Sequence, residues 1–394
     1  MWVVFALALF IRFYSGEVNG INATMFAFSY KYGFISRGLV GTFFQVLDKI
    51  LPFNLMNYQG TLLFVQVATA LFYLVLFLYF ILCTRRTKED VGNAAKYVML
   101  FLTIFAVPMF CNVHNFGRLD IFCVMLSLLS AMLLIAEKAE WLCILFSAVS
   151  VMIHQGNVFM FLNVVLVLLV YKMLTKTGKE RRKYFLIFAG SFLSASALFL
   201  WFELFSHFQG DNIYEELVSC AQSLCLDGKI HSDVIDHEIL GVDLTAKEWP
   251  YHMENFVQFP IFCVLMLPYI LLTVRLFRSV IKAAETKVEK WKYVIVAIGA
   301  GTIVPDLLLK VDYGRWMFSI ICYYTVVILA LLAMGDRHVC QQMSELEGRL
   351  REKGPMTLIL LMYPILLQPL MDISICEVVR QAGLVIIKNI LHWW

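Results

Sequence analysis

Apolar runs of roughly 18 or more residues recur along the whole chain, and no other feature narrows its possible folds so far. In hydrocarbon every backbone N–H and C=O must find its partner within the protein, so runs of that length cross a bilayer as helices. The composition agrees: 61% of the 394 residues are hydrophobic and 15% charged, with mean hydropathy +0.77. The sequence therefore predicts an all-α, polytopic helical membrane protein, residues 1–394 forming a single integral membrane domain. Helices are expected near 2–15, 61–83, 95–112, 119–136, 141–155, 157–173, 184–205, 255–276, 293–309, 316–334 and 356–372, about eleven spans. Residues 1–14 lack a basic n-region and a small-residue cleavage site, and read as a short first span rather than a cleaved signal.

Orientation follows from the Lys/Arg bias of the short loops. The segments 84–90, 171–184, 275–292 and 335–354, with Lys96 and Lys138, hold 21 of the 32 Lys and Arg. They lie on one side at every turn, so that side is expected to be cytoplasmic. The N-terminus is then cytoplasmic and the C-terminus extracytoplasmic, with 374–394 as an interfacial helix anchored by Trp393 and Trp394. The net charge of +3 gives no reason to expect a nucleic-acid partner, because basic residues sit where topology needs them. Most cysteines lie in apolar runs as small hydrophobes. Cys220 and Cys225 lie in a polar loop and either pair or stay free.

Polar residues that the spans do not need collect on the outer side. They are "SYKYGFISRGLVGTFFQVLDKI" (29–50), "NVHNFGRLD" (112–120), "MIHQGN" (152–157) and "DLLLKVDYGRW" (306–316). Between them lies one long extracytoplasmic loop, 206–254. "NFGRLD" and "DYGRW" share an aromatic, a Gly, an Arg and a nearby Asp at a helix start. Gly admits a ligand close to the backbone, helix N-termini offer free N–H groups to anions, and Arg offers a two-pronged fork to phosphate. The substrate-binding candidates are Arg37, Arg118, Arg315, Lys31 and Lys310. The catalytic candidates are Asp120, Asp312 and His154. An alternative for the turns is capping by ion pairs, Arg118 with Asp120 and Arg315 with Asp312. Asp306 and Glu203, within or at the edge of spans, are costly enough there to draw suspicion. "HSDVIDH" (231–237) has no recognised zinc spacing, and no metal or cofactor is expected. The chain holds no P-loop, dinucleotide fingerprint, HExxH or nucleophile elbow, so nucleotide-driven chemistry is poorly supported.

On "GFISRGLVG", "NFGRLD", "HQGN" and "DYGRW", and on its layout, the chain resembles the repeat-unit polymerases of bacterial surface polysaccharide (Wzy-type O-antigen and capsule polymerases). More loosely it resembles membrane glycosyltransferases that use lipid-linked donors. The resemblance implies inverting transfer of a growing chain from polyprenyl diphosphate to a sugar hydroxyl of an incoming lipid-linked unit. Its expected partners are the lipid-linked glycan, membrane lipids and other polysaccharide-assembly proteins, in the cell membrane. Such polymerases often carry several Arg in their outer loops, whereas 206–254 has none, which moves the expected phosphate seat to the helix-edge arginines. With ten carboxylates against Lys229 and Lys247, that loop suits sugar hydroxyls, and Trp249 offers a face for stacking. Two rivals are a transporter or flippase of lipid-linked sugars, which would need polar groups through mid-membrane, and an acyltransferase using His154.

Overall fold

The computed structural model describes residues 16–111, 115–230, 234–236, 260, 263–264, 266–309, 313–352 and 354. The expected spans 2–15 and 356–372 and the interfacial segment 374–394 lie outside them, as does most of 255–265. All the regular secondary structure among the described residues is helical, with no strand. In chain order the α-helices are α1 (Gly20–Thr24), α2 (Gly38–Ile50), α3 (Tyr58–Arg86), α4 (Gly92–Cys111) and α5 (Asp120–Ala136). Then come α6 (Leu142–Ile153), α7 (Asn157–Met160), α8 (Leu162–Thr175), α9 (Gly178–Leu204) and α10 (Ile213–Leu224). The last are α11 (Leu267–Ala283), α12 (Lys287–Ile298), α13 (Val304–Leu309), α14 (Tyr313–Ala333) and α15 (Arg337–Glu352).

Among the described residues, four helical stretches are long and apolar enough to cross a membrane: Tyr58–Arg86, Gly178–Leu204, Lys287–Leu308 and Gly314–Ala333. Helices α5, α6 and α8 are apolar but shorter. Burial ranks them. The apolar window of α14 is 89% buried and that of α9 only 22%, so α14 is the spine and α9 lies at the edge. Helices α3, α4, α5 and α8 pack around α14, and α9 covers α6 and α8. Leu71, Leu74, Leu193 and Leu200 face outward, as expected of helices solvated by lipid rather than water.

Two expected continuous helices are interrupted. The 157–173 segment breaks at Phe161, between α7 and α8, and 293–309 passes through a 3-10 turn, Gly299–Ile303. Each break frees carbonyls that an apolar setting cannot leave bare. Tyr323 and Tyr324 hydroxyls of α14 donate to the Val296 and Ala297 carbonyls, both at 2.7 Å. Asn163 Nδ2 donates to Gly299 O at 3.3 Å and Thr302 Oγ1 at 2.9 Å, while Thr302 donates to Phe159 O at 3.0 Å. The two breaks thus satisfy each other. Gly299 is needed here because a Cβ would strike the Tyr323 hydroxyl. Likewise Gly41 lets α2 lie against the Phe28 carbonyl.

The basic segments meet at one end of the bundle. Arg86 donates to Ile135 O at 2.5 Å. Lys172 and Lys176 pair with Glu137 at 2.6 and 2.9 Å, and Lys183 with Glu140 at 2.8 Å. Glu137 lies in the α5–α6 turn, where hydrogen bonds from Lys172 and Lys176 hold its carboxyl down at about 2. The strongest tie is Asp336, between α14 and α15. It accepts from the Tyr171 hydroxyl at 2.7 Å, from Tyr293 at 2.8 and 2.9 Å, and from the Val339 N–H at 2.9 Å. Lys292 lies 3.4 Å away, with its ammonium 4.3 Å from the Tyr293 ring centre. One carboxylate therefore joins α8 and α12 and caps α15.

Removing one partner of a buried pair strands the other charge, which typically costs about 3–5 kcal/mol. Asp336→Ala is expected to lower stability by that order, read as earlier thermal unfolding of the purified protein in detergent. Adding Lys292→Met should restore part of the loss.

Candidate functional site

At the opposite end, α14 begins, and its first turn answers what a cation is doing at the mouth of an apolar helix. Arg315 does not stay beside its own segment. Its Nε and Nη2 donate to Asp120 Oδ2 and Oδ1, each at 3.0 Å, across 195 residues of sequence. The Arg315 side chain is 11% exposed and that of Asp120 2%. A two-pronged fork on both carboxylate oxygens is the geometry in which a desolvated pair best recovers its burial cost. The guanidinium also lies 5.1 Å from the Trp316 ring centre. The pairing with Asp120 is not among those expected for the two turns; Asp312, the expected partner of Arg315, lies outside the described residues.

His154 sits in the turn beyond the end of α6, half-buried, with its Nδ1 buried. The charged groups acting most on it are Arg37, Asp120, Arg315 and Arg118. Its Nδ1 has no hydrogen-bond partner among the described residues. The ring folds over Gly156, where a Cβ would lie 2.8 Å from His154 Cε1. That contact explains the glycine of "HQGN".

Arg37 comes to this end from the first segment. It precedes α2 in the left-handed region, φ 63° and ψ −2°, which costs a non-glycine residue about 1–3 kcal/mol and often marks a functional position. Its Nη1 lies 3.8 Å from Met25 Sδ. Arg118 sits in the turn before α5, where its N–H donates to Asn115 O at 3.1 Å. Gly117 there has φ +95°, a backbone state open to glycine. Ser319, one turn into α14 from Arg315, donates to Met160 O at 2.6 Å and holds α7 against the spine.

Five of the expected residues thus converge: Arg37, Arg118, Asp120, His154 and Arg315. Lys31 does not join them. It is exposed and pairs with Glu216 of α10 at 2.6 Å, so it ties α10 to the first segment rather than lining the site. Glu203 accepts from Gln155 at 2.8 Å. Lys310, Asp312 and Trp249 lie outside the described residues. Cys220 and Cys225 are both free thiols. Asn22, of the first segment, is buried and donates to Phe116 O at 3.0 Å.

Two features lay beyond sequence reasoning. Asn157, in the turn after His154, is 1% exposed, and neither its amide nitrogen nor its oxygen has a partner among the described residues. Asn115 Oδ1 is in the same state. Buried amides are almost always satisfied, so these groups stand out. "HQGN" pointed at the position, but nothing in it says that the amide stays open.

The sequence matches no protein-family model, and no curated protein or solved structure matches it either. The Asp120–Arg315 fork makes a direct prediction. Asp120→Ala should cost about 3–5 kcal/mol by stranding a buried guanidinium. Arg315→Lys, which keeps the charge and loses the fork, should cost less. Thermal unfolding of both, with Asp120→Ala/Arg315→Met recovering part of the loss, checks the pairing.

Proposed function

We propose that this chain transfers or polymerises polyprenyl-diphosphate-linked oligosaccharide at the outer face of the cell membrane, in surface-polysaccharide assembly. The observation supporting the reading is the convergence of Arg37, Arg118 and Arg315 around His154, at the bundle end opposite the basic loops. Lys/Arg-rich loops favour the cytoplasm, so the arginine end faces outward in this reading. About eleven spans then leave the N-terminus inside and the C-terminus outside.

In the reaction, an acceptor hydroxyl attacks the anomeric carbon and the carbon–oxygen bond to diphosphate breaks, the electron pair leaving with the diphosphate. Arg118 and Arg37 bind that charge as it develops, beside the Arg315 fork held by Asp120. The hydroxyl proton goes to a base. Asp120 has both oxygens committed to Arg315, so Asp312 takes this role first, and His154 Nδ1, beside three guanidiniums that disfavour an imidazolium, accepts a substrate hydrogen bond instead. Loop 206–254, through its carboxylates and Trp249, selects the acceptor, and Lys31 anchors it through Glu216. Membrane lipids and other assembly proteins are its surroundings.

One observation favours a second reading, a flippase for lipid-linked sugars: the facing interruptions at Phe161 and Gly299–Ile303, since broken helices form many transporter sites. Gel analysis of surface glycan after deletion separates the two. Collapse of a long-chain ladder to single units supports polymerisation, and loss of every unit supports flipping.

The activity reading predicts that Arg118→Gln lowers chain elongation about 10²–10³-fold at equal membrane abundance. Elongation near the unsubstituted level would overturn it. Sidedness is tested separately. An impermeant thiol reagent on intact cells should label a cysteine placed at Asp236 and not one at Thr177 or Glu347, and the reverse pattern would invert the site.

A further inference from the structure

Helix α11 runs beside an apolar cleft between itself and α4. Tyr97 and Val98 form one wall and Leu272 and Leu276 the other, with Ile328 of α14 as floor, and the cavity measures about 90 Å³. Met343 and Leu346 of α15 cover it at the basic end of the bundle. A second, polar cleft continues from it, sharing Leu272, Leu276 and Leu346, and is lined by Arg275, Ser279, Gln342, Glu345 and Arg349.

The charges there are uneven. Glu345 is occupied, 3.7 Å from Arg349 and accepting from Gln341 and Gln342. Arg275 is exposed, and no ion pair or hydrogen bond engages its side chain among the described residues. On the other flank of α11, Arg278 and Lys282 border another apolar cleft, lined by Val274, Phe277 and Tyr324. Leu267, Leu271 and Val274 of the same helix are exposed apolar side chains, so in a bilayer α11 borders lipid. An apolar slot that runs into a cationic polar mouth, on a lipid-facing helix, has the two halves of a phospholipid in order. The slot is too narrow for a peptide helix and suits one hydrocarbon chain. The excess cation selects an anionic headgroup over a zwitterionic one, as basic pockets between membrane helices commonly do.

We propose that an anionic phospholipid binds here, its phosphate held by Arg275 and Arg349 and an acyl chain lying between α4 and α11. Bound there, the lipid braces α15. Glu347 of α15 already reaches α4, accepting from the Ala94 N–H and from Asn93 Nδ2, both at 3.2 Å. The lipid adds the matching tie to α11.

The test reconstitutes the full chain with phosphatidylcholine containing phosphatidylglycerol, transfers it to mild detergent, and counts retained lipid by native mass spectrometry. Phosphatidylglycerol should be retained over phosphatidylcholine, and Arg275→Gln/Arg349→Gln should cut its retention at least about tenfold. Both positions are exposed, so folding should survive the change. Leu276→Trp, which fills the slot, should cut retention while leaving the arginines in place. Equal retention of the two lipids, or unchanged phosphatidylglycerol on the arginine variant, overturns the proposal. Loss on the arginine variant with none on Leu276→Trp also overturns it, because the charge would then act without the cleft.

Discussion

The bond from Arg315 to Asp120 is the constraint around which this bundle is arranged. A charge buried among apolar helices is tolerated only when its partner is placed within tenths of an ångström, because its burial cost returns only through close, directional contact. That fixes the rotation and height of α14 against α5. The spine then sets its other neighbours in turn: Ser319 against Met160 one turn on, Tyr323 and Tyr324 against the end of α12 a turn later, and Tyr79 of α3 against Val326 O at 2.7 Å. A spine that is apolar nearly all round gives little register by hydrophobic packing alone. These polar contacts supply it.

The interrupted helices follow the same logic. In water a broken helix is an ordinary event, since solvent takes the freed carbonyls. In an apolar bundle each carbonyl needs a donor from a neighbouring helix, so a break is stable only opposite another polar feature. The Phe161 break therefore lies opposite Gly299–Ile303, with Asn163 and Thr302 bridging the two. Their pairing places irregular backbone next to the turn that carries His154 and Asn157.

Much of this was legible in the sequence, and the limits are physical. Span positions could be read because hydropathy is a local sum, so Tyr58–Arg86 and Asp120–Ala136 fall close to where apolar runs predict them. Convergence of the arginine turns could be read because alternating sides follow from counting spans. Partner choice could not. Asp312 stands three residues from Arg315 and Asp120 stands 195 away, and only packing brings the distant one within reach. The breaks at Phe161 and Gly299 were hidden for a similar reason: "NVFMFLNVVL" and "AIGAGTIVPD" are apolar on either side, and what makes a break stable lies on another helix. Lys31 looked like its arginine neighbours in type and spacing, and its carboxylate partner sits in a loop whose fold no periodicity reveals. Asp336 was hidden in a stretch whose basic residues already had a topogenic explanation.

Asp336 also shows why the other end is the candidate site. Both ends of the bundle bury a carboxylate beside a cation, so charge alone does not distinguish them. At Asp336 the oxygens accept from two tyrosines and a backbone N–H, with Lys292 alongside, and the cluster is closed. At Asp120 the carboxylate is just as fully engaged, but some neutral groups around it are not. The imidazole of His154 keeps an open nitrogen, and the amides of Asn115 and Asn157 have atoms without partners among the described residues. A closed network stabilises the fold and has nothing left to offer a ligand. An open one costs stability until something binds, and in the proposed reading the ligand brings polar atoms for the amides and negative charge to an end of the bundle where three guanidiniums gather. A diphosphate attached to a sugar has both.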